Sequence, residues 1–176
     1  DSALYNNTAL GNTAIGSKSL YTNTTGSSNS ALGDHSLYSN TSGLSNTAVG
    51  DDAMYNNSTG DYNAALGRLS MNSNTTGNFN TTIGYSAGSL ATTNANCTFL
   101  GYNADNSGGT SRSNSMALGN GSLITADDQV RIGNSSVTSI GGYAGWTNVS
   151  DGRFKQNIQQ DVKGLDFILQ LKPVTY

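Results

Sequence analysis

Ser150 and Lys155 are the residues whose types and spacing could do covalent chemistry. They stand in the run Ser150-Asp151-Gly152-Arg153-Phe154-Lys155-Gln156-Asn157-Ile158. A serine hydroxyl is inert at neutral pH and needs a base, and a lysine can be that base only if burial or a cationic neighbour lowers its pKa. Arg153, two residues away, pushes in that direction. Read alone, the same run is also a turn or helix cap followed by a solvated lysine. The other reactive types are isolated. Cys97 is the one cysteine, so neither a disulfide nor a cysteine metal site can be assembled. It is read as a small buried residue at one of the Ser, Thr or Ala positions of the chain's pattern. His35, also alone, falls in the turn Gly33-Asp34-His35 and is read as solvated. No metal site and no cofactor are expected. Asp34, Asp51, Asp52 and Asp61 are scattered turn residues, without the fixed pair that glycoside hydrolysis uses.

What must position these groups is a 17-residue period. Glycine recurs at Gly16, Gly33, Gly50, Gly67, Gly84 and Gly101, each preceded by an aliphatic residue: Ile15, Leu32, Val49, Leu66, Ile83 and Leu100. Gly26, Gly43, Gly60 and Gly77 keep the same spacing, as do Asn29, Asn46, Asn63 and Asn80. Self-similarity at a fixed short period is the mark of a solenoid whose repeats rest on their neighbours. Gly, Asn, Thr and Ser are poor helix formers, so a helical repeat is excluded. Two short strands per coil are expected, of the types Asn29-Ser30-Ala31-Leu32 and Ser36-Leu37-Tyr38, turning at Gly33-Asp34 and closing through Asn40-Thr41-Ser42-Gly43.

The fold is therefore expected to be all-β, a parallel β-roll or β-solenoid of about 17-residue coils, with a short C-terminal helical segment. Roughly eight coils ending near Gly133 make a shaft on the order of 40 Å long. Asn23, Asn40, Asn57 and Asn74 are placed to stack amide on amide. Two large apolar side chains per coil, at roughly 1.5 to 3 kcal/mol each, do not offset about 1 to 2 kcal/mol of backbone entropy for each ordered residue. A side-by-side homotrimer is expected to supply the rest, through the Leu20, Leu37, Met54 and Met71 column beside the tyrosines, unless that column points into the coil.

Charged residues are only 11% of the chain and the net charge is -3, with no Lys/Arg cluster in the repeats. Nucleic acid is thereby excluded as a partner, and no apolar run suits membrane insertion. Irregular threonine pairs, such as Thr24-Thr25 against Thr41-Ser42, argue against an ice-ordering face. The register loosens beyond Gly101, with Leu118-Gly119 and Ile132-Gly133 as the next matches. Residues 1–135 are read as the shaft and 136–149, with Tyr143 and Trp146, as a neck. Residues 150–176 have a different composition, and Val162, Leu165, Ile168, Leu169 and Leu171 at mostly helical spacing stop before Pro173.

Two resemblances follow from these motifs. The N-x-A-[ILV]-G core of the repeats resembles the head repeats of trimeric autotransporter adhesins and similar repeats of phage tail fibres, which implies a trimeric, left-handed parallel β-roll. Ser150 to Ile158, with Leu171-Lys172-Pro173-Val174-Thr175-Tyr176, is similar to the opening of the C-terminal intramolecular chaperone of phage tailspikes and endosialidases. That resemblance implies a longer domain that trimerises, folds the fibre ahead of it and cuts itself off. Ser150 would be the nucleophile and Lys155 its base, with the cut between Val149 and Ser150. Together the two imply an extracellular, trimeric phage tail fibre carrying a folding chaperone, with a host receptor or glycan as a possible partner. A bacterial surface adhesin or filament is the alternative.

Overall fold

The structure, a computed structural model, describes residues 2–142. Ten short strands run along them: β1 (Thr13–Ile15), β2 (Ser30–Leu32), β3 (Thr47–Val49), β4 (Ala64–Leu66), β5 (Thr81–Ile83), β6 (Thr98–Leu100), β7 (Asp105–Asn106), β8 (Met116–Leu118), β9 (Leu123–Ile124) and β10 (Val130–Ile132). Eight of them form one parallel sheet in the order β1-β2-β3-β4-β5-β6-β8-β10, one strand per coil. β7 and β9 pair separately. The chain is thus a parallel β-solenoid of 17-residue coils, with a rise of roughly 34 Å over the seven steps between strands. The loosened register does not break it. Leu100 pairs with Leu118 and Leu118 with Ile132, and a 3-10 turn, Ser107–Gly109, lies in the longer coil between β6 and β8.

Each coil has one strand rather than two. Ser36-Leu37-Tyr38 is not extended, because the N–H groups of Ser36, Tyr38 and Asn40 donate to the carbonyls of Gly33, His35 and Leu37, three overlapping turns. Leu37 sits at φ +52° and His35 at +51°. The coils still bond to one another here: Leu37 N–H donates to Ala53 and Ser39 N–H to Tyr55, each one coil onward.

The Leu/Met column points into the coil. Leu20, Leu37, Met54 and Met71 are buried against Ala31, Ala48 and Ala65 of the sheet's inner face, so they supply no outer contact surface. All four have left-handed backbones, φ +48° to +55°. That conformation costs about 1 to 2 kcal/mol per L-residue. Full burial of such a side chain returns about 1.5 to 3 kcal/mol, so it is tolerated. One coil later the sizes exchange. Gly88 takes the Leu/Met position and Phe99 takes the alanine position. A Cβ on Gly88 would stand 2.9 Å from the Phe99 ring, which fills the volume that the glycine vacates.

Two buried asparagine ladders run beside this core. In the first, Asn57 Nδ2 donates to Asn40 Oδ1 at 2.9 Å and Asn74 Nδ2 to Asn57 Oδ1 at 2.8 Å. In the second, Asn46, Asn63 and Asn80 each donate backbone N–H and Nδ2 to the Oδ1 of the asparagine one coil back. They also donate across the coil to Gly60, Gly77 and Asn94 carbonyls at 2.7 Å. Cys97 ends this second ladder. It occupies the asparagine column, not a Ser, Thr or Ala position, and its N–H donates to Asn80 Oδ1.

The glycine columns answer two separate requirements. Gly50 has φ +131°, and a Cβ there would lie 2.6 Å from the Gly67 carbonyl. Gly60 needs space alone: its Cβ would meet Asn57 Oδ1 and stand 2.5 Å from the Gly77 carbonyl. Ser45, outside both columns, is itself at φ +54°, so a branched residue is strained there too. The tolerant comparison is exposed Ser42. Gly50→Val and Gly60→Val should each lower stability by more than about 1 kcal/mol in thermal melts, with Ser42→Val near wild type. Equal shifts at all three positions would show that the columns carry no steric requirement.

Candidate functional site

The described residues present one apolar surface. Because side chains alternate along a strand, the middle residue of each triplet from β1 to β8 in the main sheet faces the coil and the outer two face away, while in β10, the last strand, Arg131 is exposed along with Val130 and Ile132. The last positions hold the aliphatic column that precedes the glycines, and Ile15, Leu32, Leu66, Ile83, Leu100 and Ile132 are exposed. The first positions hold Thr13, Ser30, Thr47, Ala64, Thr81, Thr98, Met116 and Val130. No charged residue stands among these outward positions. The recurrence of an aliphatic before each glycine was visible in the sequence. Its direction was not, because a three-residue strand gives alternation too little length to register.

The aromatic side of the coil is already engaged with itself. Tyr5, Tyr21, Tyr38 and Tyr55 stack nearly parallel at 5.0 to 5.5 Å, the last three at the 17-residue period and Tyr5 one residue short of it, and in a separate column Tyr62 stacks on Phe79. His35, read as a solvated turn residue, is partly exposed in a turn and has neighbours from the next coil. It presents its edge to Tyr38 and Tyr55, with Nδ1 3.4 Å from Asp34 Oδ2 and 3.8 Å from Asp52 Oδ1. Asp34, His35 and Asp51 bring their ligand atoms within 4.8 Å of one another. Asp51 is already paired to Arg68 Nε at 3.0 Å. The cluster is partly solvated, and burial together with Asp51 pushes the Asp52 carboxyl above the usual range.

Among the described residues two ionisable groups, Cys97 and Asp105, are enclosed. The Cys97 thiol is buried against the Ala95 and Arg112 carbonyls, and burial pushes its pKa up, which keeps it unreactive. Asp105 stands one period beyond Gly88, in the position that earlier coils give to Leu or Met. Its Oδ2 accepts from the N–H groups of Ser89 and Leu90, and Oδ1 from that of Asn106. Burial still pushes the carboxyl up to about 6. Extending the 17-residue column from Met71 through Gly88 would have found this residue in the sequence.

Val149, Ser150 and Lys155, the neck aromatics Tyr143 and Trp146, and the helical spacing between Val162 and Leu171 all lie outside the described residues. Residues 150–176 match the family described as chaperone of endosialidase. The match begins at Ser150 and takes in Lys155. No curated protein matches the chain. A segment that matches this chaperone family therefore follows a β-solenoid repeat in this sequence.

Asp105 gives the solenoid a pH dependence of definite sign. Its folded pKa, about 6, exceeds the usual 3.8, so the folded chain keeps a proton that the unfolded chain has released. The contribution is complete below about pH 3.8 and is lost as pH rises through about 6, a change on the order of 3 kcal/mol. Asp105→Asn should flatten this part of the profile. Melting temperatures of wild type and variant should differ more in favour of wild type at pH 4.5 than at pH 7.5. A constant difference across that range would remove Asp105 as the titrating group.

Proposed function

We propose that this chain is a structural, receptor-presenting segment of a trimeric extracellular fibre of the phage-tail type, joined to the start of a self-cleaving folding chaperone. What supports the reading is the direct succession of a charge-poor β-solenoid by the chaperone-of-endosialidase match at 150–176. A one-strand-per-coil solenoid has a slow, non-local folding problem: every coil is a template for the next, and parallel in-register chains expose open edges until they are closed. A chaperone attached to the same chain gathers the copies at one end and sets their register. The same match favours a phage-type fibre over a bacterial surface adhesin. A host receptor or surface glycan is the partner that such a shaft would hold out, and no cofactor is required.

Self-cleavage would use residues of this chain. Neutral Lys155 takes the proton from Ser150 Oγ, and the oxygen attacks the Val149 carbonyl carbon next to it. The Val149–Ser150 amide becomes an ester as the Ser150 nitrogen leaves protonated, and water then hydrolyses the ester. Arg153 favours the neutral lysine that the first step needs.

In the full reading frame, wild type should separate between Val149 and Ser150 after assembly. Ser150→Ala and Lys155→Ala should stay whole yet assembled, on denaturing gels with fragment masses. A wild type that stays intact, or a Ser150→Ala chain cut at the same bond, would show that residues 150–176 act as a folding cap without proteolysis.

A further inference from the structure

The turns that follow β2 and β3 collect ionisable side chains on an otherwise charge-poor shaft. Asp34 and His35 stand in the first turn, Asp51 and Asp52 hold the same places one coil later, and Arg68 follows in the Asp34–Asp51 column. Along its own coil His35 has only Asp34 beside it. Stacking adds two carboxylates from the next coil. His35 Nδ1 lies 3.4 Å from Asp34 Oδ2 and 3.8 Å from Asp52 Oδ1, longer than a charge-assisted N–H···O bond of about 2.7 to 2.9 Å. Two ligand atoms held about 2.1 Å from one tetrahedral ion stand about 3.4 Å apart. Among the described residues the three carboxylates have one side-chain hydrogen-bond donor, Arg68 Nε on Asp51 Oδ2 at 3.0 Å, which leaves Asp51 Oδ1 free. Lys18, one coil earlier in the His35 column, forms no ion pair with them. The cluster therefore carries more negative charge than its surroundings balance.

We propose that Asp34, His35 and Asp51 bind a divalent metal ion of the zinc class, which ties two successive coils together, with Asp52 within reach of the remaining position. The three bring their ligand atoms within 4.8 Å of one another, so an ion placed between them reaches all three after small side-chain shifts. Their backbone is already fixed. His35 N–H donates to the Ser17 carbonyl at 2.9 Å and Asp52 N–H to the Asp34 carbonyl at 3.0 Å, and the imidazole is held edge-on against Tyr38 and Tyr55. Binding thus orders little that the fold has not ordered. Oxygen donors alone suit calcium or magnesium, whereas an imidazole among carboxylates suits zinc and its neighbours in the first transition row. The four side chains are 29–50% exposed, so the ion enters from solvent and keeps water among its ligands. Asp34 and His35 belong to one coil and Asp51 to the next, and an ion held by both stabilises the folded chain in proportion to its occupancy. The site stands whether or not the chain is part of a fibre.

The test takes the full chain without an affinity tag, strips it with a chelator and titrates it with zinc chloride in a calorimeter. Wild type should take up one zinc per chain at this site and melt at a higher temperature with zinc than with chelator. His35→Ala and Asp34→Asn should each bind at least about tenfold more weakly and lose the melting shift, while melting with wild type in chelator. Asp61→Asn, which removes an acid from another turn, should keep both the affinity and the shift. In NMR, zinc should move the His35 ring signals, a change that a loose cloud of cations around aspartates does not produce. Absence of zinc uptake would overturn the site. So would a His35→Ala chain that binds as tightly as wild type, or calcium or magnesium bound as tightly as zinc, because the cluster would then be an acidic patch without a coordinating imidazole.

Discussion

The solenoid depends on burying amides that bond to copies of themselves one coil away. Asn40, Asn57, Asn46 and Asn63 have no accessible surface to speak of, and a buried amide left unpaired costs several kcal/mol. Each is paired only if the next coil places an identical residue at an identical height. The ladder thus punishes any change of coil length, which is what holds the period at 17 over six strands. Hydrophobic burial alone does not impose such a ruler, since Leu, Met and Phe can exchange positions across the core, as Gly88 and Phe99 do.

From that constraint the less ordinary features follow. The coil must return to the same height in few residues, so it turns through left-handed backbone at His35, Leu37 and Ser45 in one coil and at the matching positions of its neighbours. Leucine and methionine accept this conformation because the core they enter outweighs its cost. Glycine is kept where backbone meets backbone, as at Gly50 against Gly67, or where an asparagine amide needs the space, as at Gly60.

Much of this was legible in the sequence, and for a physical reason: a stacked repeat writes its contacts as columns. The period, the parallel stacking, the first asparagine ladder and the continuation through Leu118 and Ile132 could all be read that way. What could not be read was the conformation within a column. Leu37 carries no sign of its positive φ, because left-handed backbone is ordinarily marked by Gly or Asn, and so Ser36-Leu37-Tyr38 passed for a strand. The same gap assigned the contact face to the Leu/Met column, while the aliphatics before the glycines are the exposed ones. The company His35 keeps could not be read either, because its neighbours Asp52 and Tyr55 come from the next coil. Ser150 and Lys155 were picked out by motif, and the family match at 150–176 begins on the first of them.

A shaft of this construction suits a part that must be stiff, thin and indifferent to ionic conditions, since its cohesion comes from amide ladders and backbone bonds more than from surface charge. The most direct measurement of its central element is hydrogen exchange at the asparagine side chains. In amide-resolved NMR the Nδ2 protons of Asn46, Asn57 and Asn63 should exchange as slowly as the strand N–H groups of Ala48 and Ala65. Exchange of those side-chain protons at the rate of free asparagine, in a chain whose strand amides remain protected, would contradict the ladder as the element that holds the coils in register.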